Sequence, residues 1–347
     1  MKPFEELSYP GRIRRMRQLA QAALNNYGLS DARFRFLRWA GNILFRVNEI
    51  HPISTTKVEL YTPGQYMLRI HQPGYQSAEA IDLELMWLAA MCREADLPVP
   101  EPVATLEGKW LTQVSIPGVP GQRNASLLRW VRGSYINKDI KPHHYRAQGR
   151  LMARLHEHAA HWHAPAGFKK RKYDWDGLFW DDLGEGIPAS EAWALLPPQY
   201  LKTFELVASK VKLVMDELGK GPEVYGLIHG DLGLDANILF WKGEARAIDF
   251  DDSGFGYYVY DLSVALENCQ EDDALPQFRE ALLDGYTQVR SIPECQFNQM
   301  DLFLAAFYVY WNLWAATAIQ RYPNHKDELL ERMERYFRRV QRYLASH

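Results

Sequence analysis

The segment between residues 225 and 252 contains the side chains best suited to chemistry. Asp231 follows one apolar run, Asn237 precedes a second, and Asp249 ends a third. Short apolar runs separated by turn residues are typical of β-strands. Two such strands joined through residues 242–244 would bring their outer ends together. The sequence therefore predicts that these three side chains lie near one another.

Two carboxylates and one amide in such an arrangement favour phosphoryl transfer. Mg²⁺ prefers oxygen ligands, commonly one or two carboxylates together with phosphates of the substrate. A separate carboxylate is needed beside the acceptor hydroxyl, where it orients that group and accepts its proton. Positioning and charge neutralisation supply most of the catalysis in this class of reaction.

Each of these polar residues also has a purely structural interpretation. Asp231 could cap the following turn, and His229 is expected to orient the loop through hydrogen bonds. Asp251 is expected to contact the metal ligands and not the metal itself. Asp252 is expected to be an ordinary turn residue. Asp261 stands at the start of a predicted helix, where an N-cap is the simplest role.

The elements that would hold these residues change in type along the chain. Strand patterns and one helix fill the first part: strands at 34–39, 43–50, 65–72, 98–106, 109–116 and 126–131, and a helix at 77–95. Helical patterns dominate the rest: 143–162, 198–219, 261–269, 274–289, 298–320 and 325–345. We therefore predict an α+β, two-lobed fold with a small antiparallel-sheet N-lobe at 33–133 and a larger, mainly helical C-lobe at 134–347. A further helix at 10–27 forms an N-terminal extension, residues 1–32.

Composition and charge narrow the class of protein. Of 347 residues, 47% are apolar, which permits a large core, and the net charge of −3 argues against a nucleic-acid or polybasic membrane binder. Three scattered cysteines are typical of a reducing compartment. The first residues have no signal-peptide pattern, and the longest apolar run, 302–311, is too short to span a membrane. We expect a cytoplasmic protein; the sequence leaves its oligomeric state open.

The polar segment resembles the catalytic and metal-binding loops of the aminoglycoside phosphotransferase / choline kinase superfamily, which has a protein-kinase-like fold. The likeness rests on His-Gly-Asp at 229–231, Asn237 and Ile-Asp-Phe-Asp at 248–251. It extends to Tyr-Asp-Leu at 260–262, to GRLMARLHEH at 149–158 and to LLRWVRG at 127–133.

The resemblance implies a role for each matching residue. Asp231 would be the catalytic base, and Asn237 and Asp249 would bind Mg²⁺. Arg69 would grip the phosphates of ATP, and Glu84 would pair with it. In the hinge, at 128–133, the adenine ring would be held by the backbone of Leu128, Arg129, Trp130 and Val131. The turn at Gly41 and Asn42 would cover the phosphates. The implied activity is ATP-dependent transfer of phosphate to a hydroxyl of a small molecule: an aminoglycoside, an amino alcohol, a homoserine-like compound or a sugar.

Three features depart from the family pattern. Asn237 follows Asp231 by six positions, where the family usually has five, so Asp235 could share the metal. Arg69 stands where the family usually has lysine, which keeps the charge but changes the shape of the cation. A G-x-G-x-x-G loop is absent from the sequence, and the substitute around Gly41 is a weak motif.

Two alternative functions remain open at this point. A protein Ser/Thr kinase of similar fold would need an activation segment, and the interval between Asp249 and Asp261 is short for one. A nucleotide-binding regulator without catalysis is favoured by the longer spacing and by Arg69, but the retained Asp231, Asn237 and Asp249 argue against it.

Three further groups have two interpretations each. The acidic and aromatic segment 173–186 could face a cationic acceptor or pack against the helices. Phe307, Trp311 and Trp314 have helical spacing and favour the core, with a pocket wall as the alternative. A histidine cluster is better explained as an ordinary helix end than as a metal site: His156, His158, His161 and His163.

Overall fold

The computed structural model of the protein describes residues 2–50, 57–136, 138–181, 188–234, 236–269 and 274–347. The chain divides into two compact units, Met1–Ser134 and Tyr135–His347. The first is built around an antiparallel sheet, and the second is mainly helical.

Among its described residues, the first unit contains two helices and five strands. The helices are α1 (Tyr9–Asn26) and α2 (Ala78–Glu94), and the strands are β1 (Arg33–Ala40), β2 (Asn42–Asn48), β3 (Tyr61–Ile70), β4 (Leu111–Val114) and β5 (Arg123–Val131). The strands form one sheet in the order β1-β2-β3-β5-β4, with antiparallel neighbours. The strand predicted at 98–106 is wrong, since only an isolated bridge joins Pro102 to Leu128 there. Prolines at 98, 100 and 102 remove the backbone donors that a strand would need.

Helix α1 covers one face of this sheet. Alternation along the strands points Phe45, Leu68 and Leu127 into a buried core that also contains Leu19 and Leu24 of the helix. The helix begins after the N-cap Ser8, whose side chain accepts a hydrogen bond from the backbone N–H of Gly11. The N-terminal extension is therefore an integral part of the first unit's core.

We expect Leu24→Ala to destabilise the protein by about 2–5 kcal/mol, because a fully buried leucine would leave a cavity in this core. Urea unfolding followed by circular dichroism measures the change. The matched control is Gln18→Ala, which alters an exposed position of the same helix. Equal stability of the two variants would contradict the packing role of α1.

The second unit contains nine helices and five strands within the described residues. The helices are α3 (Pro142–His161), α4 (Trp175–Phe179), α5 (Ala189–Leu195), α6 (Pro198–Leu218), α7 (Tyr258–Val264), α8 (Leu275–Thr287), α9 (Glu294–Phe297), α10 (Met300–Arg321) and α11 (Lys326–Ser346). The strands are β6 (Lys172–Tyr173), β7 (Tyr225–Ile228), β8 (Ile238–Trp241), β9 (Glu244–Ala247) and β10 (Gly254–Tyr257). Strands β6, β10 and β7 form one small sheet, and β8 pairs with β9 in a hairpin.

Two helices of this unit form its centre. Helix α10 is long and apolar enough to cross a membrane, but 78% of its most apolar stretch is buried inside the protein, as in a core helix. Helix α3 packs very closely on α8, because a Cβ on Gly149 would lie 2.0 Å from the Leu282 carbonyl oxygen and one on Gly285 equally close to that of Arg146. This close packing fixes the helix that supports the catalytic loop.

Candidate active site

The β8–β9 hairpin brings Asn237 next to the residues that follow β9. Its two-residue turn has positive φ at both Lys242 (51°) and Gly243 (81°), the geometry that matches the twist of an antiparallel pair. At the open end, the Asn237 carbonyl accepts a hydrogen bond from the Ile248 N–H at 2.9 Å. Asn237 and Asp249 therefore flank the same end of the hairpin, as the sequence predicted.

Asn237 also contacts Asp231 directly. Its Nδ2 donates to the Asp231 carbonyl oxygen at 2.8 Å and to Oδ2 of the carboxylate at 2.9 Å. The intervening loop is tightened by the N–H groups of Ala236 and Asn237, which both donate to the Gly233 carbonyl. The six-position spacing is thus accommodated by a local turn. Asp235, the alternative metal ligand, lies outside the described residues.

Asp249 has an unusual backbone conformation. Its φ is +66°, in the left-handed region that non-glycine residues rarely adopt. Such strain costs on the order of 1–3 kcal/mol and concentrates at functional sites. The next residue, Phe250, is buried, and its ring lies 4.5 Å from the imidazole of His229. Packing of Phe250 thus helps to hold the carboxylate-bearing residue in place.

The charges around Asp231 oppose its ionisation. Burial and then the carboxylates of Asp252 and Asp249 raise the pKa of Asp231 to about 8, against the lowering effects of Arg332 and Asn237. Asp231 is nevertheless exposed by surface area. Repulsion from the neighbouring carboxylates therefore adds to the effect of burial on Asp231. A bound cation would relieve that repulsion.

A buried carboxylate on α7 supports the catalytic loop from behind. Asp261 is fully buried and accepts hydrogen bonds from the backbone N–H groups of Gly230 at 2.8 Å and His229 at 3.3 Å. It also lies 3.1 Å from Nε2 of His156 on α3. The N-cap interpretation of Asp261 is wrong, since the N-cap of α7 is Tyr257 and the Asp261 side chain faces the loop.

The charge states of Asp261 and His156 follow from their surroundings. Burial raises the pKa of Asp261, but the hydrogen bonds from His156 and from the backbone of Gly230 oppose burial, and the pKa is lowered overall. Burial lowers the pKa of His156 despite the neighbouring carboxylate. The pair therefore consists of an ionised Asp261 and a neutral His156, whose other nitrogen lies 2.9 Å from the Tyr286 hydroxyl.

Two further contacts fix the loop. Nε2 of His229 lies 3.0 Å from the Ile248 carbonyl oxygen, in agreement with the orienting role predicted for this histidine. Asp252 is not an ordinary turn residue, because its carboxylate pairs with Arg171 at 2.7 Å. The Tyr173 hydroxyl donates to the Asp252 carbonyl at 2.6 Å. Sequence reasoning missed Arg171 and Tyr173, whose distance along the chain gives no signal of this contact.

The segment 173–186 packs against helices in its described part. Asp174 caps α4 through the Gly177 N–H and pairs with Lys220 at 2.7 Å. Nε1 of Trp175 donates to the Ala208 carbonyl on α6. These contacts agree with the packing interpretation; residues 182–187 lie outside the described residues.

In the first unit, Arg69 and Glu84 form the predicted pair. Nη1 of Arg69 lies 2.9 Å from Oε1 of Glu84, and both side chains are almost fully buried. The pair joins β3 to α2 on the sheet face opposite α1. The ion pair thus fixes the guanidinium of Arg69 at one position on the sheet.

The other predicted nucleotide-binding residues of this unit already have structural contacts. Asn42 Oδ1 accepts a hydrogen bond from the Gln72 N–H at 3.0 Å, which ties the Gly41 turn to the end of β3. In the predicted hinge, the N–H of Arg129 donates to the Glu101 carbonyl, so this donor is engaged within the protein. The remaining hinge side chains are Leu128 and Val131, both buried, and Trp130, which stacks against Arg46 at 4.5 Å.

Comparison with known proteins identifies the family. The model described as "Phosphotransferase enzyme family" matches residues 53–297, which is more than half of the chain. The chain belongs to the phosphotransferase enzyme family. Within it, the interval between Asp249 and Asp261 contains only a turn, β10 and the first turn of α7, which leaves no long activation segment.

Individual phosphotransferases similar to this chain are kinases of small molecules. The amicoumacin kinase of Bacillus subtilis is 25% identical over 256 residues, covering 72% of this chain and 67% of that protein. A hydroxylysine kinase of Bos taurus is 22% identical over 295 residues, covering 80% and 76%.

Solved structures of phosphotransferases share the fold over almost the whole chain. The microcompartment-associated aminopropanol kinase has a TM-score of 0.74 and 26% identity, covering 95% of this chain and 98% of that one. An amicoumacin kinase in complex with AMP-PNP, Ca²⁺ and Ami has a TM-score of 0.73 and 19% identity, covering 96% of each. The predicted fold class and enzyme class are confirmed: the chain is an ATP-dependent phosphotransferase of small-molecule alcohols.

Proposed function

We propose that the protein transfers the γ-phosphate of Mg-ATP to the hydroxyl of a small alcohol that also carries an amine. The observation that carries the proposal is the contact of Asn237 with Asp231 at one end of the hairpin that also holds Asp249. The amine is suggested by the similar kinases, because aminopropanol and hydroxylysine both combine an amine with a hydroxyl.

The oxygen atoms of Asn237 and Asp249 suit Mg²⁺, which also binds substrate phosphates, better than they suit a metal ion bound by protein ligands alone. Among the described residues, no three histidine, cysteine or acidic side chains form a group that could hold a metal ion. Mg²⁺ needs no such group, since one or two carboxylates and substrate phosphates suffice. Because Nδ2 of Asn237 donates to Asp231, its Oδ1 is the amide atom available to a cation. We infer that Asn237 and Asp249 would hold Mg²⁺, which would neutralise charge on the phosphates.

Asp231 is proposed as the base. Its carboxylate would accept the proton of the acceptor hydroxyl while that oxygen forms a bond to the γ-phosphorus. The bond between the γ-phosphorus and the bridging oxygen breaks at the same time, and ADP leaves with the electron pair. The hydrogen bond from Asn237 holds one carboxylate oxygen and leaves the other to the acceptor.

In the first unit, the nucleotide would contact the residues suggested by the family pattern. Arg69, fixed by Glu84, would face the phosphates, and the turn at Asn42 would lie over them. The backbone at Leu128, Trp130 and Val131 would contact adenine. A cytoplasmic location is also proposed. It agrees with the three free cysteines among the described residues: Cys92, Cys269 and Cys295.

A screen for ADP release tests the proposal. We expect ADP release from ATP to rise when an amine-bearing alcohol is added, and to disappear when EDTA removes divalent cations. Matched amines without a hydroxyl serve as controls, since they bind similarly but offer no acceptor. Turnover that needs no divalent cation, or that occurs with none of the alcohols, would contradict the proposal.

A further inference from the structure

Tyr173 connects the two loops that carry the proposed catalytic residues. Its side chain is buried, and its hydroxyl donates to the Asp252 carbonyl oxygen at 2.6 Å. A Cβ at Gly230 would lie 2.7 Å from the same hydroxyl oxygen and 2.9 Å from the same carbonyl oxygen, so the three groups leave no space for a methyl group. Since Gly230 directly precedes Asp231 and Asp252 follows Asp249 by three positions, Tyr173 contacts both loops at once.

The strand that carries Tyr173 is itself held by its neighbours. Strand β6 runs parallel to β10, with Gly256 opposite Tyr173, and the Phe255 N–H donates to the Arg171 carbonyl oxygen at 2.9 Å. On α7, the ring of Tyr260 lies 5.3 Å from that of Tyr173, measured between ring centres. Backbone pairing and ring packing together restrict the position of the Tyr173 hydroxyl.

The same segment also holds Asp252 by its side chain. Nη1 of Arg171 donates to Oδ1 of Asp252 at 2.7 Å and to the Tyr173 hydroxyl oxygen at 3.3 Å. Burial raises the pKa of Tyr173 well above its usual value, so the hydroxyl keeps the proton that it donates to Asp252. Asp252 is therefore fixed at its carboxylate by Arg171 and at its backbone by Tyr173.

Two contacts with the catalytic loop lie on either side of Asp249. On its N-terminal side, Nε2 of His229 lies 3.0 Å from the Ile248 carbonyl oxygen. The contact through Tyr173 lies on its C-terminal side. The backbone of Asp249 has a φ of +66°, and such a strained conformation persists only where its surroundings hold it. Both contacts therefore help to fix Asp249 relative to Asp231.

We propose that Tyr173 is a positioning residue for phosphoryl transfer, because its hydroxyl holds the loop of Asp231 and the loop of Asp249 at a fixed separation. The inference rests on the proposed function, in which Asp231 is the base and Asp249 faces the phosphates. Catalysis in this class depends mainly on positioning. A misplacement of about 1 Å can lower the rate on the order of 10²-fold, so one hydrogen bond between the loops can matter greatly.

Tyr173→Phe tests this inference, because it removes the hydroxyl and keeps the ring. We expect kcat to fall by about 10–100-fold, whereas the affinity for a non-hydrolysable ATP analogue, measured by isothermal titration, should change little. The ratio of ADP released to acceptor phosphorylated should also rise above the wild-type ratio. With the acceptor hydroxyl misaligned, water takes the γ-phosphate in its place and yields inorganic phosphate.

Tyr257→Phe is the matched control. The Tyr257 hydroxyl is also buried and donates to a backbone carbonyl, that of Met215 on α6, at 3.0 Å. Each change removes one hydrogen bond of the same kind, so both should lower the melting temperature by similar amounts. Only Tyr173→Phe should change kcat and the ADP ratio, which a purely structural role would leave alike in the two variants.

Arg171→Gln is a second variant at a partly exposed position, and it decides the question if Tyr173→Phe does not fold. Loosening Asp252 in this way should lower kcat and raise the ADP ratio as well. Wild-type values of both quantities in the folded variants would overturn the inference and leave the proposed function standing. An equal loss of kcat in Tyr173→Phe and Tyr257→Phe would also overturn it. Absence of turnover by the wild type with every acceptor would overturn both.

Discussion

Asp231→Ala is expected to lower kcat by about 10²–10⁴-fold, the usual contribution of a positioned general base. Affinity for ATP should change little, because Asp231 is proposed to face the acceptor and not the nucleotide. Single-turnover kinetics measure the first effect, and isothermal titration with a non-hydrolysable ATP analogue measures the second. The hydroxyl would still be held near the phosphate, so a residual rate should remain.

Asp216→Asn is the control for this experiment. Asp216 lies on α6, is exposed and pairs only with Lys212 four residues earlier among the described residues. Its loss should leave kcat unchanged, since exposed pairs of this kind contribute little even to stability. An Asp231→Ala enzyme with wild-type kcat would remove Asp231 as the base.

Asp261→Ala is expected to combine a large loss of stability with a loss of activity. The change removes the acceptor for two backbone N–H groups of the catalytic loop and for His156. Breaking a buried charged network by deleting one partner typically costs about 3–5 kcal/mol. Because His229 and Gly230 would lose their anchor, the carboxylate of Asp231 should also lose its fixed position.

Urea unfolding measures the stability, and kcat for the fraction that remains folded separates positioning from unfolding. Asp261→Asn keeps one oxygen acceptor and should recover part of both properties. Ser263→Ala, a buried polar change in the same helix, serves as the control and should cost only about 1 kcal/mol. A folded Asp261→Ala enzyme with normal kcat would show that Asp261 does not position the loop.

The part of the site that sequence could predict is local. Asp231, Asn237 and Asp249 lie within one short segment, and a two-residue turn at Lys242 and Gly243 is enough to bring its ends together. The Arg69–Glu84 pair was predictable from the family pattern, and the two side chains are indeed in contact. Their roles in nucleotide binding remain predictions.

The supporting contacts could not be predicted, because they join distant parts of the chain. The carboxylate of Asp261 meets His156 from a different helix, and the position of Asp261 at a helix start suggested a cap instead. Arg332 meets Glu267 in the same way. Spacing rules describe one helix or strand at a time, whereas these contacts depend on how helices pack.

The elements of the fold also divide into those that the sequence predicts and those that it does not. Long periodic segments such as α3 and α10 were predicted, whereas short elements such as β6, β10, α4 and α5 were missed because so few residues give no periodic pattern. The strand predicted at 98–106 failed for a local reason, the three prolines. The packing of α1 on the sheet depends on tertiary contact, which its amphipathic pattern alone did not specify.

Strand β1 lies at one edge of the first sheet among the described residues, and an edge strand can offer backbone groups to a strand of another molecule. Its phenylalanines, Phe34 and Phe36, face the core, while Arg33, Arg35 and Arg38 are exposed. The pairing of β1 with β2 is also irregular between Phe36 and Arg38. Repelling charges and a local kink both hinder the addition of a strand from another molecule. The three exposed arginines on this strand should therefore protect the protein against edge-to-edge aggregation at high concentration.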